Sequence, residues 1–222
     1  MWGHPAGIRP SPVASLASGY HSVSARRQFP LVRMIRHFVA TAFVVHNGAV
    51  LLHWHPKVEA WLPPGGHVEP NEDPVQTVLR EIEEETGIAA TILPTFPRPP
   101  VTSLELLDVP YTIQVEDIPD REIGAHQHID FIYFALPQSA TGQAPERWRW
   151  FTRAELVGAV TVQIPSGRSL APPSDVITVG IAAIDWAERA GRGRRRAYRA
   201  NQQGGQQSYQ SHRNHTQDGA AN

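Results

Sequence analysis

The chain has no cysteine, which excludes disulfides and thiolate chemistry and fits a cytoplasmic setting. It has no apolar run of about 18 residues or more, so no segment is predicted to cross a membrane as a helix. Acidic residues are missing from residues 1–33, where several arginines sit among Ser, Pro, Gly and Ala. That composition reads as a disordered extension, with a transit peptide as the competing reading. Met34, directly ahead of the strand-like run IRHFVATAFVVH, is an alternative natural start. Apolar residues are also scarce after residue 190, where an arginine cluster gives way to Gln, Asn, Gly and Ser. Residues 191–222 are therefore predicted to be a disordered tail, whose short basic run is read as solvated rather than as a nucleic-acid site.

Between these ends, residues 34–190 are predicted to form one domain, since 41% hydrophobic content in a chain of 222 residues suffices for one substantial core. Phe38–His46 and Ala49–His55 flank Asn47-Gly48, a strong signal for a β-hairpin. Trp61-Leu62, Ala89–Leu93, Tyr111–Val115 and Ile129–Leu136 read as further strands. Pro94–Pro100 reads as a loop. Trp148 and Trp150 alternate ahead of Thr152, which with Glu155 forms a capping box for a short helix. A last helix is predicted from Ser174 or Asp175 to about Arg189, with Val176, Ile177, Ile181, Ile184 and Trp186 on or near its buried side.

The segment from Gly66 to Ile88, GHVEPNEDPVQTVLREIEEETGI, is the most informative in the chain. Asp73 can cap a helix that begins at Pro74, Gln76 completes a capping box, and Gly87 supplies a left-handed stop. Val75, Val78, Leu79 and Ile82 make an apolar stripe. Glu81, Glu84 and Glu85, spaced by three and four, share another face. Like charges at these spacings each cost roughly 0.2–0.5 kcal/mol, and acidic groups in a last turn oppose the helix dipole by a further 0.3–1 kcal/mol or so. A hard divalent cation such as Mg²⁺, or Mn²⁺ in its place, resolves that conflict, because it takes oxygen ligands from a few carboxylates, waters and substrate phosphates. Pro63-Pro64-Gly65-Gly66 ahead of the helix reads as a loop able to bring backbone carbonyls to the ion.

The same residues carry a family resemblance. Gly66, Glu72, Arg80, Glu81, Ile82, Glu84, Glu85, Gly87 and Ile88 fill all nine defined positions of the Nudix hydrolase box. A chance match in a chain of this length is on the order of one in ten million, which leaves coincidence out of account. The resemblance implies an α/β/α sandwich around a central mixed β-sheet, and a metal-dependent hydrolase that cleaves a diphosphate linkage in a nucleoside diphosphate derivative. It implies Glu81, Glu84 and Glu85 as metal ligands, with the Gly66 carbonyl and Glu72 as additional ones. Arg80 is then the residue that orients a box glutamate, and Glu81, Arg80 and Glu84 are the catalytic set.

Which group acts as general base is left open among the box glutamates, Glu105, Glu116, Asp117, Glu122 and Asp130, with Glu81 preferred. His126, His128 and Asp130 alternate and would share one face of a strand, where they could meet phosphate or a metal, or simply form a half-exposed sheet edge. Lys57, beyond His53 and His55 at the end of the hairpin, is a candidate phosphate contact. Trp61 is read as core before it is read as a stacking platform.

Motifs of the NADH and coenzyme A pyrophosphatases are missing. Ser103 and Leu104 stand where a proline would indicate ADP-ribose, and the nearest tyrosine for dinucleoside polyphosphates is Tyr111. A nucleoside triphosphate pyrophosphohydrolase-like activity remains as the default. The alternatives are a nucleotide-sensing module without turnover and a prenyl diphosphate isomerase, the latter disfavoured by the lack of cysteine. A homodimer is the general expectation for a soluble enzyme.

Overall fold

The computed structural model describes residues 34–100, 103–119, 124–139 and 143–192. The expectations for residues 1–33 and for the tail beyond 192 lie outside this range. The first hairpin joins β1 (Arg36–His46) to β2 (Ala49–His55). Asn47 and Gly48 have φ of 49° and 75°, the two left-handed residues of a tight turn whose twist matches that of the strands. β3 (Ala60–Leu62) returns antiparallel to β2, and β4 (Gly65–His67) pairs antiparallel with β1. After α1 (Pro74–Thr86) come β5 (Ala90–Ile92), β6 (Thr112–Pro119) and β7 (Ala125–Pro137). β8 (Trp148–Thr152) leads into α2 (Arg153–Val157), a ribbon of β9 (Val162–Gln163) and β10 (Ser169–Leu170), and α3 over 174–192.

The main sheet runs β3-β2-β1-β7-β5, with β4 on β1, β6 on β7 and β8 on β2. It is mixed, because β1 and β7 are parallel, with His37 level with His128 and Val39 level with Asp130, while the remaining pairs are antiparallel.

Strand periodicity divides the core into two layers. Ala40, Ala42 and Val44 of β1, Leu51 of β2 and Tyr133 and Ala135 of β7 point to the side where Val78 and Ile82 of α1 pack. Their neighbours Phe43, Val45, Val50, Leu52, Ile132 and Phe134 point to the other side, against Leu156 of α2 and Val176, Ala183 and Ile184 of α3. Gly180 lets α3 approach closely: a Cβ there would meet Leu156 at 3.1 Å and Val50 at 3.4 Å. The architecture is thus the α/β/α sandwich around a mixed sheet anticipated from the sequence. No helix among the described residues is long and apolar enough to cross a membrane.

The ends of α1 are as the sequence indicates. Asp73 accepts from the N–H groups of Val75 and Gln76 at 2.8 and 2.9 Å, and Gln76 Oε1 accepts from the Asp73 N–H at 3.0 Å. Gly87, with φ 69°, closes the helix by donating its N–H to the Glu83 carbonyl at 2.8 Å. The second capping box, between Thr152 and Glu155, is also formed.

One difference matters for the site. The segment around Gly65-Gly66, expected as a loop, is in part the strand β4. β2 pairs with β1 only at Val45↔Val50 and His46↔Ala49, which leaves the edge of β1 at Val39–Thr41 free for His67, Gly66 and Gly65. Two glycines and a histidine carry no strand propensity of their own. The open edge of β1 makes the strand.

Candidate active site

With Val78 and Ile82 buried against the sheet, α1 packs on β1, β4 and β5, and its carboxylates turn toward the edge formed by β4. Arg80 is the centre of the cluster. Its Nε and Nη2 donate to the two oxygens of Glu72 at 2.8 and 3.0 Å, and its Nη1 donates to Glu81 Oε1 at 2.8 Å and Glu84 Oε2 at 3.1 Å. Nη2 also reaches the His67 carbonyl at 3.4 Å. This forked engagement requires a planar guanidinium; an ammonium presents no such pair of parallel donors. Glu72 further accepts from Thr77 Oγ1 at 2.9 Å, so both of its oxygens are occupied.

Glu85 reaches β4 itself, accepting from the Gly65 N–H at 3.3 Å. Glu81 lies against Gly66 so closely that a Cβ on that residue would stand 2.5 Å from the Glu81 carboxyl carbon. Backbone at Gly65-Gly66 therefore meets the carboxylates of Glu81 and Glu85, and Glu84 is joined to Glu81 through Arg80.

The charges there are unequal. The hydrogen bonds from Arg80 hold the Glu72 carboxyl down to about 2, and Glu72 in turn raises the Arg80 guanidinium above its ordinary value. Glu85 is pushed up to about 7, first by desolvation of its carboxyl group and then by the neighbouring charges of Glu81 and Glu84, against the pull of the Gly65 N–H. The residue is exposed overall, so the burden falls on its carboxyl end. A carboxylate set in which one member is driven toward protonation by desolvation and by its neighbours is a donor set of hard oxygens short of positive charge. That fits a divalent cation held by Glu81, Glu84, Glu85 and the Gly66 carbonyl.

His126, His128 and Asp130 do share one face of β7. Asp130 is 4% exposed and accepts from Thr41 Oγ1 on β1 at 3.0 Å, while its Oδ1 is buried without a partner among the described residues. Burial, and then the nearby Glu116 carboxylate, push Asp130 up to about 7; the Thr41 hydrogen bond opposes this. Glu116, opposite His128 on β6 and hydrogen-bonded to Gln114, is pushed up by its own burial. These groups line the sheet face away from α1, where apolar packing gives way to polar side chains.

Four histidines meet on that face. His126 Nε2 lies 3.2 Å from His128 Nε2, and His67 Nε2 lies 3.3 Å from His37 Nδ1. Burial and then the neighbouring rings hold His128 down at about 4, and His67 is lowered for the same reasons.

Other candidates lie elsewhere. Lys57 sits exposed in the turn between β2 and β3 and makes no ion pair among the described residues. Trp61 is core: it is 6% exposed, donates to the Leu170 carbonyl at 3.1 Å and meets Phe151 edge-on. Glu105 is exposed in a loop, Asp117 accepts from Gln127 at 2.9 Å on an exposed strand, and Glu122 lies outside the described residues.

Sequence reasoning passed over Thr41, His37, His67 and Trp148. Trp148 stacks on His53 at 4.4 Å and donates to the Glu85 carbonyl at 3.1 Å, satisfying a backbone acceptor at the end of α1. His37 and His67 are 30 residues apart. Only the β1–β4 and β1–β7 pairings bring them to His126 and His128, so no local pattern could reveal them.

A family model described as NUDIX domain matches residues 36–170. Among curated proteins, a probable DHNTP pyrophosphohydrolase from Lactococcus lactis subsp. cremoris is 33% identical over 94 residues, covering 42% of this chain and 50% of that protein. An asymmetrical bis(5'-nucleosyl)-tetraphosphatase from Rattus norvegicus is 38% identical over 69 residues, covering 31% of this chain and 47% of that protein. The chain spans about half the length of these curated relatives. Among solved structures, a hydrolase of the NUDIX family from Clostridium perfringens aligns with a TM-score of 0.48 at 26% identity, over 68% of this chain and 97% of that one.

Proposed function

The chain belongs to the Nudix family, and from that premise we propose that it is a divalent-metal-dependent hydrolase that cleaves a diphosphate linkage in a nucleoside diphosphate derivative. The observation that carries the reading is the convergence of Glu81 and Glu85 on the Gly65-Gly66 backbone, with Arg80 bridging Glu72, Glu81 and Glu84.

In this reading Glu81, Glu84, Glu85 and the Gly66 carbonyl hold Mg²⁺, or Mn²⁺ in its place. When bound, the cation neutralises charge on the bridging phosphates and makes a water nucleophilic near neutral pH. Glu81 accepts the proton of the attacking water or holds that water in line. The water oxygen bonds to phosphorus as the P–O bond to the leaving phosphate breaks, and a monophosphate product departs. Arg80 acts through others: anchored by Glu72, it fixes the direction of the Glu81 and Glu84 carboxylates. Asp130, with Thr41, is assigned to substrate on the sheet face away from α1. Lys57, exposed in the β2–β3 turn, is the weakest member of the substrate set.

The curated relatives are named for DHNTP and for bis(5'-nucleosyl) tetraphosphates, so both compounds belong in the test beside the common nucleoside triphosphates, ADP-ribose, NADH and nucleotide sugars. The experiment is phosphate or pyrophosphate release from this panel with Mg²⁺, run beside Glu84→Gln. Turnover of one compound that collapses in the variant supports the reading. Tight binding without turnover of any compound would replace it with a nucleotide sensor.

A further inference from the structure

We propose that His37, His126 and His128, with His67 as a fourth donor, form a Zn²⁺ site at the N-terminal ends of β1 and β7, distinct in chemistry from the carboxylates of α1. One ring nitrogen from each of His37, His126 and His128 lies within 4.8 Å of the other two. The pairs His126–His128 and His37–His67 stand closer, at 3.2 and 3.3 Å between ring nitrogens. Zn–N bonds of about 2.05 Å in a tetrahedron place neighbouring donors about 3.3 Å apart. Two edges of the cluster already have that length; the remaining edges of the His37, His126 and His128 trio, within 4.8 Å, need to shorten by at most about 1.5 Å.

The tautomer of His126 is set from outside the cluster. His126 is 3% exposed, and its Nδ1 lies 2.9 Å from the Gly124 carbonyl. A carbonyl only accepts, so Nδ1 carries the proton and the Nε2 lone pair faces His128. A metal-binding histidine ordinarily has this second partner on its far nitrogen, which fixes the tautomer and the ring plane. Neutral imidazoles suit Zn²⁺ and neighbouring transition ions, whereas Mg²⁺ prefers oxygen. The two sites thus divide their metals by donor type, and the inference does not depend on the hydrolase reading.

The site has a structural consequence. The ring of His67 faces His37 while its backbone carbonyl faces Arg80 at 3.4 Å. An ion held by these rings would tie the three-residue strand β4, and with it Gly66, to the two long central strands.

The test uses the full chain without a histidine tag, stripped with chelator and then titrated with Co²⁺, whose visible absorption reports a four-coordinate nitrogen environment, and with Zn²⁺ in competition. One equivalent of Zn²⁺ is expected to displace Co²⁺ and to survive gel filtration in excess Mg²⁺. The doubly substituted His126→Gln/His128→Gln protein should lose the absorption, and His37→Asn, a change at a half-buried ring, should weaken binding at least about tenfold while circular dichroism shows the fold intact. Glu84→Gln should leave it unchanged. The proposal is overturned if Zn²⁺ is not retained stoichiometrically, or if binding is lost in Glu84→Gln and kept in His37→Asn. It is equally overturned if the chelator-treated protein takes inorganic pyrophosphate through these histidines and no metal.

Discussion

A Cβ on Gly66 would stand 2.5 Å from the carboxyl carbon of Glu81, although the two lie 15 positions apart along strand, loop and helix. Only glycine lets the carboxylate lie against the backbone there. Gly66→Ala is expected to displace Glu81 rather than unfold the domain, since the collision is with a side chain at the surface of the site. A displacement of about 1 Å at a metal-binding carboxylate costs on the order of 100-fold in turnover. Steady-state kinetics beside a thermal melt that shifts by only a few degrees checks this.

Arg80→Lys keeps the charge and loses the fork that holds Glu72 at two points and Glu81 and Glu84 at a third. The expected outcome is a fall in kcat of roughly 10- to 100-fold with a smaller change in KM, because Arg80 positions carboxylates and does not touch substrate. A comparable rise in KM at unchanged kcat would assign Arg80 to substrate instead.

Chelation with EDTA should abolish turnover, and Mg²⁺ in excess should restore it. Glu84→Gln removes one hard ligand; a loss of about 3 kcal/mol of transition-state stabilisation corresponds to roughly 100-fold in rate. Partial rescue of this variant by raising Mg²⁺ is the expected signature of a ligand, measured as a rightward shift in the Mg²⁺ dependence.

Asp130 gives a stability profile with a definite sign. Its carboxyl ionises near 3.8 in an unfolded chain and near 7 when buried beside Glu116. Between those values the native state holds a proton that the unfolded chain has released, so stability falls as pH rises from about 4 to about 7 and stays lower above. The penalty is on the order of 4 kcal/mol at most. Asp130→Asn keeps an acceptor for Thr41 and removes this titration. Urea unfolding at pH 4.5 and 8.5 should show the variant gaining on the parent chain at the higher pH, with a residual slope from Glu116.

Asp73→Ala removes the acceptor for two amides at the start of α1 and half of its capping box. A loss of about 1 kcal/mol is expected. Gly87→Ala, at φ 69°, should cost about as much through left-handed strain. Both effects are read from urea midpoints, and they should add, since the two caps share no partner.

Local elements of this protein are written in its sequence because their causes are local. The turn at Asn47-Gly48, the caps at Asp73 and Gly87 and the Thr152–Glu155 box each depend on residues within a few positions of one another. The apolar stripe of α1 and the shared face of Glu81, Glu84 and Glu85 follow from the 3.6-residue period alone. The nine box positions were legible as a motif, and with them the family resemblance. The tertiary structure decided what the faces meet. β4 exists because β2 leaves the edge of β1 open at Val39–Thr41. That pairing brings Gly66 under Glu81, turns the His67 carbonyl to Arg80 and its ring to His37, and completes a histidine cluster drawn from three strands. Thr41 finds Asp130 across 89 residues by the same parallel register of β1 and β7. Periodicity assigns a side chain to a face; only strand pairing says which other side chains share it.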